Sequence, residues 1–213
     1  MDSGRRLGAM NADEVTRAVS LALDTLREVE EGDWTAKAGG LSWTCWETAE
    51  HMADALLMYA IQLSPAEPSV TDHVPYGWQH RREGGPGLTV FVDPADGPGG
   101  LLRVLESSGA LLAAMVATVP PDRMSFHNYG PSDPSGFAAM GVVEVLVHVR
   151  DIAEGVGLVW EPPSGLCAAA LRRLFPEAPA GTDPWKALLW STGRVDLPGR
   201  PRRTEWKWDG SPR

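Results

Sequence analysis

The stretch Phe137-Ala-Ala-Met-Gly-Val-Val-Glu144-Val-Leu-Val-His148-Val149 decides how this chain is read. Glu144 and His148 are its only polar side chains. A helix that is apolar nearly all round is a buried helix. Burying a lone carboxylate is costly unless a partner or a metal takes its charge. Residues four apart lie on one helix face, so the sequence sets a carboxylate and an imidazole side by side in the interior. Two arrangements satisfy both groups: a buried Glu–His ion pair, or two of the three protein ligands of an open divalent metal site. Spacing alone leaves both open. The order is not the HExxH of metalloproteases, because the carboxylate comes four residues before the histidine and no second histidine stands beside it.

Working outward, helical patterns flank this segment on both sides. Val15, Val19, Ala22, Leu26 and Val29 form an apolar stripe that predicts a helix over 11–31, capped by Asn11 or Asp13 and ended by Gly32. Thr44 and Glu47 form a capping box that opens a second helix, which runs to about Leu63 and stops before Pro65. His51, Ala55 and Met58 share a face of that helix, with Asp54 nearby. Residues 64–97 are rich in Pro and Gly and form a long loop, with Leu88 to Val92 a candidate extended piece. A third helix is expected from about Gly99 to Val119, ended by Pro120-Pro121. A second loop over 120–134 leads to the fourth helix, about Ser135 to Glu154, closed by Gly155 and Gly157. A fifth helix spans about Pro163 to Phe175, and a sixth begins at Pro184 with Asp183 as its cap. Thr204-Glu-Trp206-Lys-Trp208 alternates like a strand of a small ribbon. Four long helices with a polar pair on the fourth and a histidine on the second predict an all-α four-helix bundle, an architecture that builds metal sites from inward side chains on facing helices.

The chain has 213 residues, 43% hydrophobic and 22% charged, enough for a real core. Its net charge of −9 argues against nucleic acid as a general partner. Residues 193–213 carry six Lys/Arg against three Asp/Glu, and this basic tail reads as a solvated terminal segment. The longest uncharged apolar run, near Ser107 to Pro121, is too short to span a bilayer, so no membrane partner is expected. Residues 1–10 contain no apolar signal core, and Cys45 and Cys167 show no metal or redox spacing; the expected location is the cytoplasm. Cys45, beside the capping residue, reads as packed rather than nucleophilic.

The segments Leu41-Ser-Trp43-Thr-Cys-Trp-Glu-Thr-Ala-Glu-His51 and Glu144-Val-Leu-Val-His148-Val-Arg-Asp151-Ile-Ala-Glu-Gly-Val-Gly resemble the mycothiol-dependent maleylpyruvate isomerase N-terminal domain, within the DinB-like group of four-helix metalloproteins. That family's motif is a tryptophan before helix two, a histidine inside it, and Glu-x-x-x-His on helix four. Trp43, His51, Glu144 and His148 match it position by position, and the resemblance covers roughly residues 12–158. It implies an up-down-down-up bundle over 11–158, followed here by a short C-terminal helical and extended appendage over 159–213, where the isomerases carry a larger domain. Composition and the segment Pro184 to Arg194 resemble small actinobacterial relatives.

The resemblance further implies that His51, Glu144 and His148 hold a divalent metal, with zinc the expected ion and one position left open, and that mycothiol is a candidate co-substrate. Asp151, three residues beyond His148, is the candidate catalytic-site residue, as an acceptor behind the histidine or as the partner of an arginine elsewhere. Trp43, His80, Arg82, His127 and Tyr129 are candidate substrate-binding residues; each also has a bland reading, as a packing anchor, a solvated loop charge or a turn. The expected activity is a mycothiol S-transferase or isomerase acting on a small electrophile through a metal-bound thiolate. A metal-activated hydrolase or lyase using water and a non-catalytic, metal-stabilised binding protein remain alternatives. A homodimer through bundle faces is compatible with the pattern.

Overall fold

The structure, a computed structural model, describes residues 10–213. Helix α1 (Ala12–Arg27) is capped by Asn11, whose side chain accepts from Asp13 N–H while Glu14 reaches back to the Asn11 N–H. Its end falls short of the expected residue 31. Beyond Arg27 the backbone tightens into turns, and the Val29 carbonyl takes the Trp34 indole N–H (3.0 Å) and the Gly32 N–H (2.8 Å) in place of a continued ladder. Helix α2 (Cys45–Leu63) starts at the Thr44–Glu47 capping box, as the sequence predicts. Helix α3 (Gly97–Thr118) follows a single 3-10 turn over Pro94–Asp96. Helix α4 (Pro134–Val156) is capped by Asp133 and ends at Gly157, whose φ of 77° is the left-handed conformation that favours glycine. Helices α5 (Ser164–Leu174) and α6 (Pro184–Ser191) complete the set. The sole sheet among the described residues is the antiparallel pair β1 (Gln79–His80) and β2 (Gly87–Leu88), so the fold is all-α.

Contacts at the helix ends fix the direction of each helix. The Arg27 side chain bonds Glu106 in the middle of α3, and Glu30, just past α1, lies against Gly99 near the start of α3, so α1 and α3 are antiparallel. Arg123, just past α3, donates to the Leu63 carbonyl at the end of α2, so α2 and α3 run parallel. The Cys45 thiol, at the start of α2, lies 3.8 Å from the Ile152 carbonyl near the end of α4, so these two are antiparallel. The result is up-down-down-up, with α1 and α2 each packed between α3 and α4. Only a long crossover can join two parallel neighbours, which accounts for the length of residues 64–96.

That crossover is strapped down rather than loose. Three acids on one face of α2 hold it. Glu47 takes Arg82 at 2.7 Å, Glu50 takes Arg81 and the Val92 N–H, and Asp54 takes the Thr89 and Val90 N–H groups. The loop over 119–133 is pinned to the same helix by Gln62, which bonds Ser125 and Val74.

The core runs along α4. Phe137, Met140, Val143, Leu146 and Ile152 are all fully buried, each contributing roughly 1.5–3 kcal/mol of transfer free energy. Gly141 lets α3 and α2 approach, since a methyl there would meet Leu112 at 2.6 Å and Leu56 at 3.0 Å. Gly155 stays inside α4 instead of closing it, because the 37–44 connector crosses directly over it. The stretch Pro94–Thr118 is longer and more apolar than the sequence reading allowed. By length and composition it could cross a membrane, with a mean hydropathy of 1.4; here its inner face packs in the bundle.

Most of residues 193–213 are exposed, as their charge suggests, but Leu197 and Trp208 are buried and the part of the appendage before them packs onto the bundle. Leu166, Leu174, Phe175, Leu188 and Trp208 join the same core as the bundle. Buried Arg173 on α5 bonds the α4 capping residue Asp133 at 2.7 Å and the Gly210 carbonyl at 3.1 Å. Thr204–Trp208 has no strand partner among the described residues. Its alternation is nevertheless physical: Trp206 and Trp208 turn inward onto Phe175 and His127.

Candidate metal centre

Helix α2 carries His51 about two turns past its Thr44 cap, and α4 carries Glu144 and His148 on the face opposite. Because α2 and α4 are antiparallel neighbours, the three side chains meet. The Nε2 atoms of His148 and His51 lie 3.1 Å and 3.4 Å from the same Glu144 oxygen, Oε2. The three potential ligand atoms all lie within 4.8 Å of one another. The imidazole rings stand edge to face with centroids 5.0 Å apart. Tetrahedral coordination with ligand bonds of about 2.0–2.1 Å separates ligand atoms by roughly 3.3 Å. The two histidine–carboxylate spacings match that separation, and the set as a whole would draw closer around a cation.

The surroundings orient the donors. Asp151 Oδ2 lies 3.2 Å from His148 Nδ1, and the same oxygen accepts from Arg194 at 2.9 Å. A ligating histidine characteristically donates its other ring N–H to such a carboxylate, which fixes the tautomer and leaves Nε2 for the metal. The Tyr59 hydroxyl, on α2, donates to Glu144 Oε1 at 3.4 Å. Burial alone would push the Glu144 carboxyl up; hydrogen bonds from His148 and His51 outweigh it and hold the group well below the usual carboxylate range. Burial opposes charge on His148 too, yet its bonds to Asp151 and Glu144 raise its pKa. For Asp151, burial is likewise overcome by His148 and Arg194, and the carboxyl falls to about 2. The donor set, two imidazoles and one carboxylate, could hold a divalent metal ion.

Beside the three groups opens a cavity of about 170 Å³. His51, Asp54, Ala55, Met58, Tyr59 and Gln62 line it from α2, an extension of the His51–Ala55–Met58 face expected from sequence. Aromatic side chains from the two loops, His73, Tyr76, Trp78, Phe126 and His127, build the opposite wall. His127 is buried, and burial lowers its pKa to about 4, so the ring is neutral at pH 7. Its Nδ1 accepts the Tyr129 N–H at 3.1 Å, which leaves Nε2–H as the ring's donor.

The other candidate residues fall in different places. Trp43 packs against the rings of His51 (4.8 Å) and His148 (6.1 Å), wedged there by the 37–44 connector, and does not line the cavity. Tyr129 is half exposed and covers His127 and Trp208 from outside. His80 bonds the Gly85 carbonyl of its own hairpin, and Arg82 is spent on Glu47 and the Ser42 carbonyl; neither reaches the cavity. Asp151 sits behind His148, bonded to that ring and to Arg194, and does not face the cavity. Both cysteines are free and buried, with burial raising Cys45 to about 11 and Cys167 to about 12, so neither is a ready nucleophile.

Sequence reasoning missed Tyr59, Gln62, Trp78 and Arg194. Tyr59 and Gln62 continue the helical period that begins at His51 and could have been found from it. Trp78 and Arg194 arrive by tertiary folding and carried no local signal.

Among known proteins, no curated protein and no solved structure matches the chain. A family profile does: the mycothiol maleylpyruvate isomerase N-terminal domain matches residues 15–153, the span of all four bundle helices and all three candidate ligands. The chain therefore belongs to the mycothiol maleylpyruvate isomerase N-terminal domain family, within the DinB-like superfamily.

Proposed function

We propose that this protein is a divalent-metal-dependent thiol transferase or isomerase, with mycothiol as co-substrate and a small, uncharged, planar electrophile as its substrate. One observation carries the reading. Two imidazole Nε2 atoms converge on one oxygen of a largely buried carboxylate that lines an aromatic-walled cavity. His51, Glu144 and His148 would hold the ion, and zinc suits them best. When bound, it supplies the Lewis acidity that keeps a thiol ionised near neutral pH.

The chain's own residues do the rest. Asp151 holds the His148 ring in one tautomer, and Tyr59 steadies the Glu144 carboxylate through its other oxygen. Tyr76, Trp78 and Phe126 offer ring faces and edges to a flat molecule. His127, neutral and with its Nε2–H free, supplies a hydrogen bond to a carbonyl oxygen of that molecule. Charge supports the choice of substrate. The cavity is lined by Asp54 and Glu144 and by no lysine or arginine, so apart from the cation itself it offers no fixed positive charge, which favours an uncharged substrate.

The test is a conjugation assay with a neutral aromatic electrophile, with and without mycothiol, on the wild type and on Glu144→Gln. The reading expects turnover that requires mycothiol and is lost in the variant. Turnover that proceeds equally without thiol would reassign the site to water chemistry.

A further inference from the structure

A second cleft, of about 470 Å³, opens on the far side of Asp151 from the metal centre. Its walls come from the end of α4, from the connector at Gly40 and Leu41, and from the segment that follows α6. Its chemistry is the opposite of the first cavity. Arg150, Arg194, Arg202 and Arg203 line it, against the carboxylates of Asp151 and Glu154. The hydroxyl-bearing Thr204 and the Trp206 ring complete its rim. Four guanidiniums in one cleft are unexpected in a chain of net charge −9, since like charges brought together repel.

Accounting for the partners shows what remains unspent. Asp151 is committed to His148, Arg194 and, at 3.4 Å, Arg150. Glu154 is committed to Arg150 at 2.8 Å. Arg203 reaches Glu177, outside the cleft, at 3.1 Å and lies over the Trp190 ring. Asp196, also outside it, accepts the Arg202 backbone N–H. The Arg202 side chain is exposed and has no hydrogen-bond or ion-pair partner among the described residues. Each guanidinium carries five donors in a planar fork, and these four use a small share of theirs. Such a surplus of forked donors matches the oxygen geometry of phosphate or carboxylate groups.

We propose that this cleft is a binding site for a small, multiply charged oxyanion, a phosphate-bearing molecule or a di- or tricarboxylate, with Arg202 and Arg203 as its principal contacts. Its walls explain why the C-terminal segment is basic and folded: Arg194, Arg202 and Arg203 all come from it. The site is separate from the metal cavity and does not depend on the activity proposed there. It also abuts Asp151, so an occupant that engages Arg194 is linked to His148 through two residues, Arg194 and Asp151.

The experiment is isothermal titration of the purified full chain with inorganic phosphate and, separately, with succinate and tricarballylate, using chloride at matched ionic strength as the blank. The expected result is saturable binding of at least one of them, weakened about tenfold by Arg202→Ala and further by Arg202→Ala with Arg203→Ala. Binding should also weaken with added salt, as a partly exposed charged site requires. Arg202→Ala removes an unpaired side chain and leaves the thermal transition where it was; loss of binding with an unchanged transition therefore supports the site. Phosphate alone or the carboxylates alone would identify the class of occupant. No saturable heat with any of the three anions, or binding indifferent to both variants, would overturn the proposal.

Discussion

Replacing Asp151 by Asn separates the two duties that the structure gives this residue. The amide keeps the size of the carboxylate but removes its charge. It also turns an amide N–H toward a cation, since one Asp151 oxygen faces Arg194 at 2.9 Å and the other faces Arg150 at 3.4 Å. Loss of a carboxylate that orients a ligating histidine lowers metal affinity by about 10–100-fold, roughly 1.4–2.7 kcal/mol. Folding is affected too. Removing one partner of a buried ion pair costs about 3–5 kcal/mol, and the lower end applies here because Arg194 keeps its bond to the Thr192 carbonyl and its place over Trp206. The assay is zinc competition against a chromophoric chelator, paired with urea unfolding of the metal-free protein. Arg194→Met is the companion variant: it leaves Asp151 to His148, so zinc affinity should stay within about threefold while stability falls. A folded Asp151→Asn protein that binds zinc as tightly as the wild type would refute the claim that Asp151 acts on the metal centre through His148.

Two further outcomes follow from the same geometry. His127 is held neutral with a pKa of about 4, against 6.5 for an exposed histidine, so between those values the unfolded chain binds a proton that the native state does not. Stability from this residue is complete above pH 6.5 and is lost as pH falls through 4, about 3 kcal/mol in all; urea midpoints in chelator at pH 7.5, 6 and 5 should fall less steeply for His127→Gln, and parallel slopes would contradict it. Gly155→Ala should destabilise by about 1–3 kcal/mol, because its methyl overlaps the Lys37 carbonyl oxygen and crowds the Cys45 thiol; the same shift moves the connector that seats Trp43 on the two histidines, so zinc affinity should drop with it, and an unchanged melting curve would show that the connector yields freely.

Local chemistry made much of the fold legible. The Thr44–Glu47 box, the Asp183 cap and the Pro120-Pro121 stop each act within a few residues, so the sequence places them where the structure does. Glu144 and His148 were legible for a different reason: charge in an apolar helix must be answered, and the i, i+4 spacing forces a shared face. What the sequence hid were the answers supplied from far along the chain. Arg194 meets Asp151 across 43 residues, and Arg82 meets Glu47 across 35. Read locally, Arg82 and His80 looked available to a substrate. In the fold, the acids of α2 and the turn of the hairpin consume them. Part of the basic tail misled in the same way, since Arg194, Arg203, Trp206 and Trp208 find their partners only once α5 and α6 have packed onto α4.

The central claim is that side chains from two helices share one cation, and metal content tests it most directly. Protein purified without added metal should carry close to one divalent ion per chain by plasma mass spectrometry, and His51→Ala and His148→Ala should each lose it while remaining helical. A wild type with no bound ion that also fails to take up zinc, with both variants less stable than the parent, would mean that Glu144 is satisfied by the two imidazoles alone.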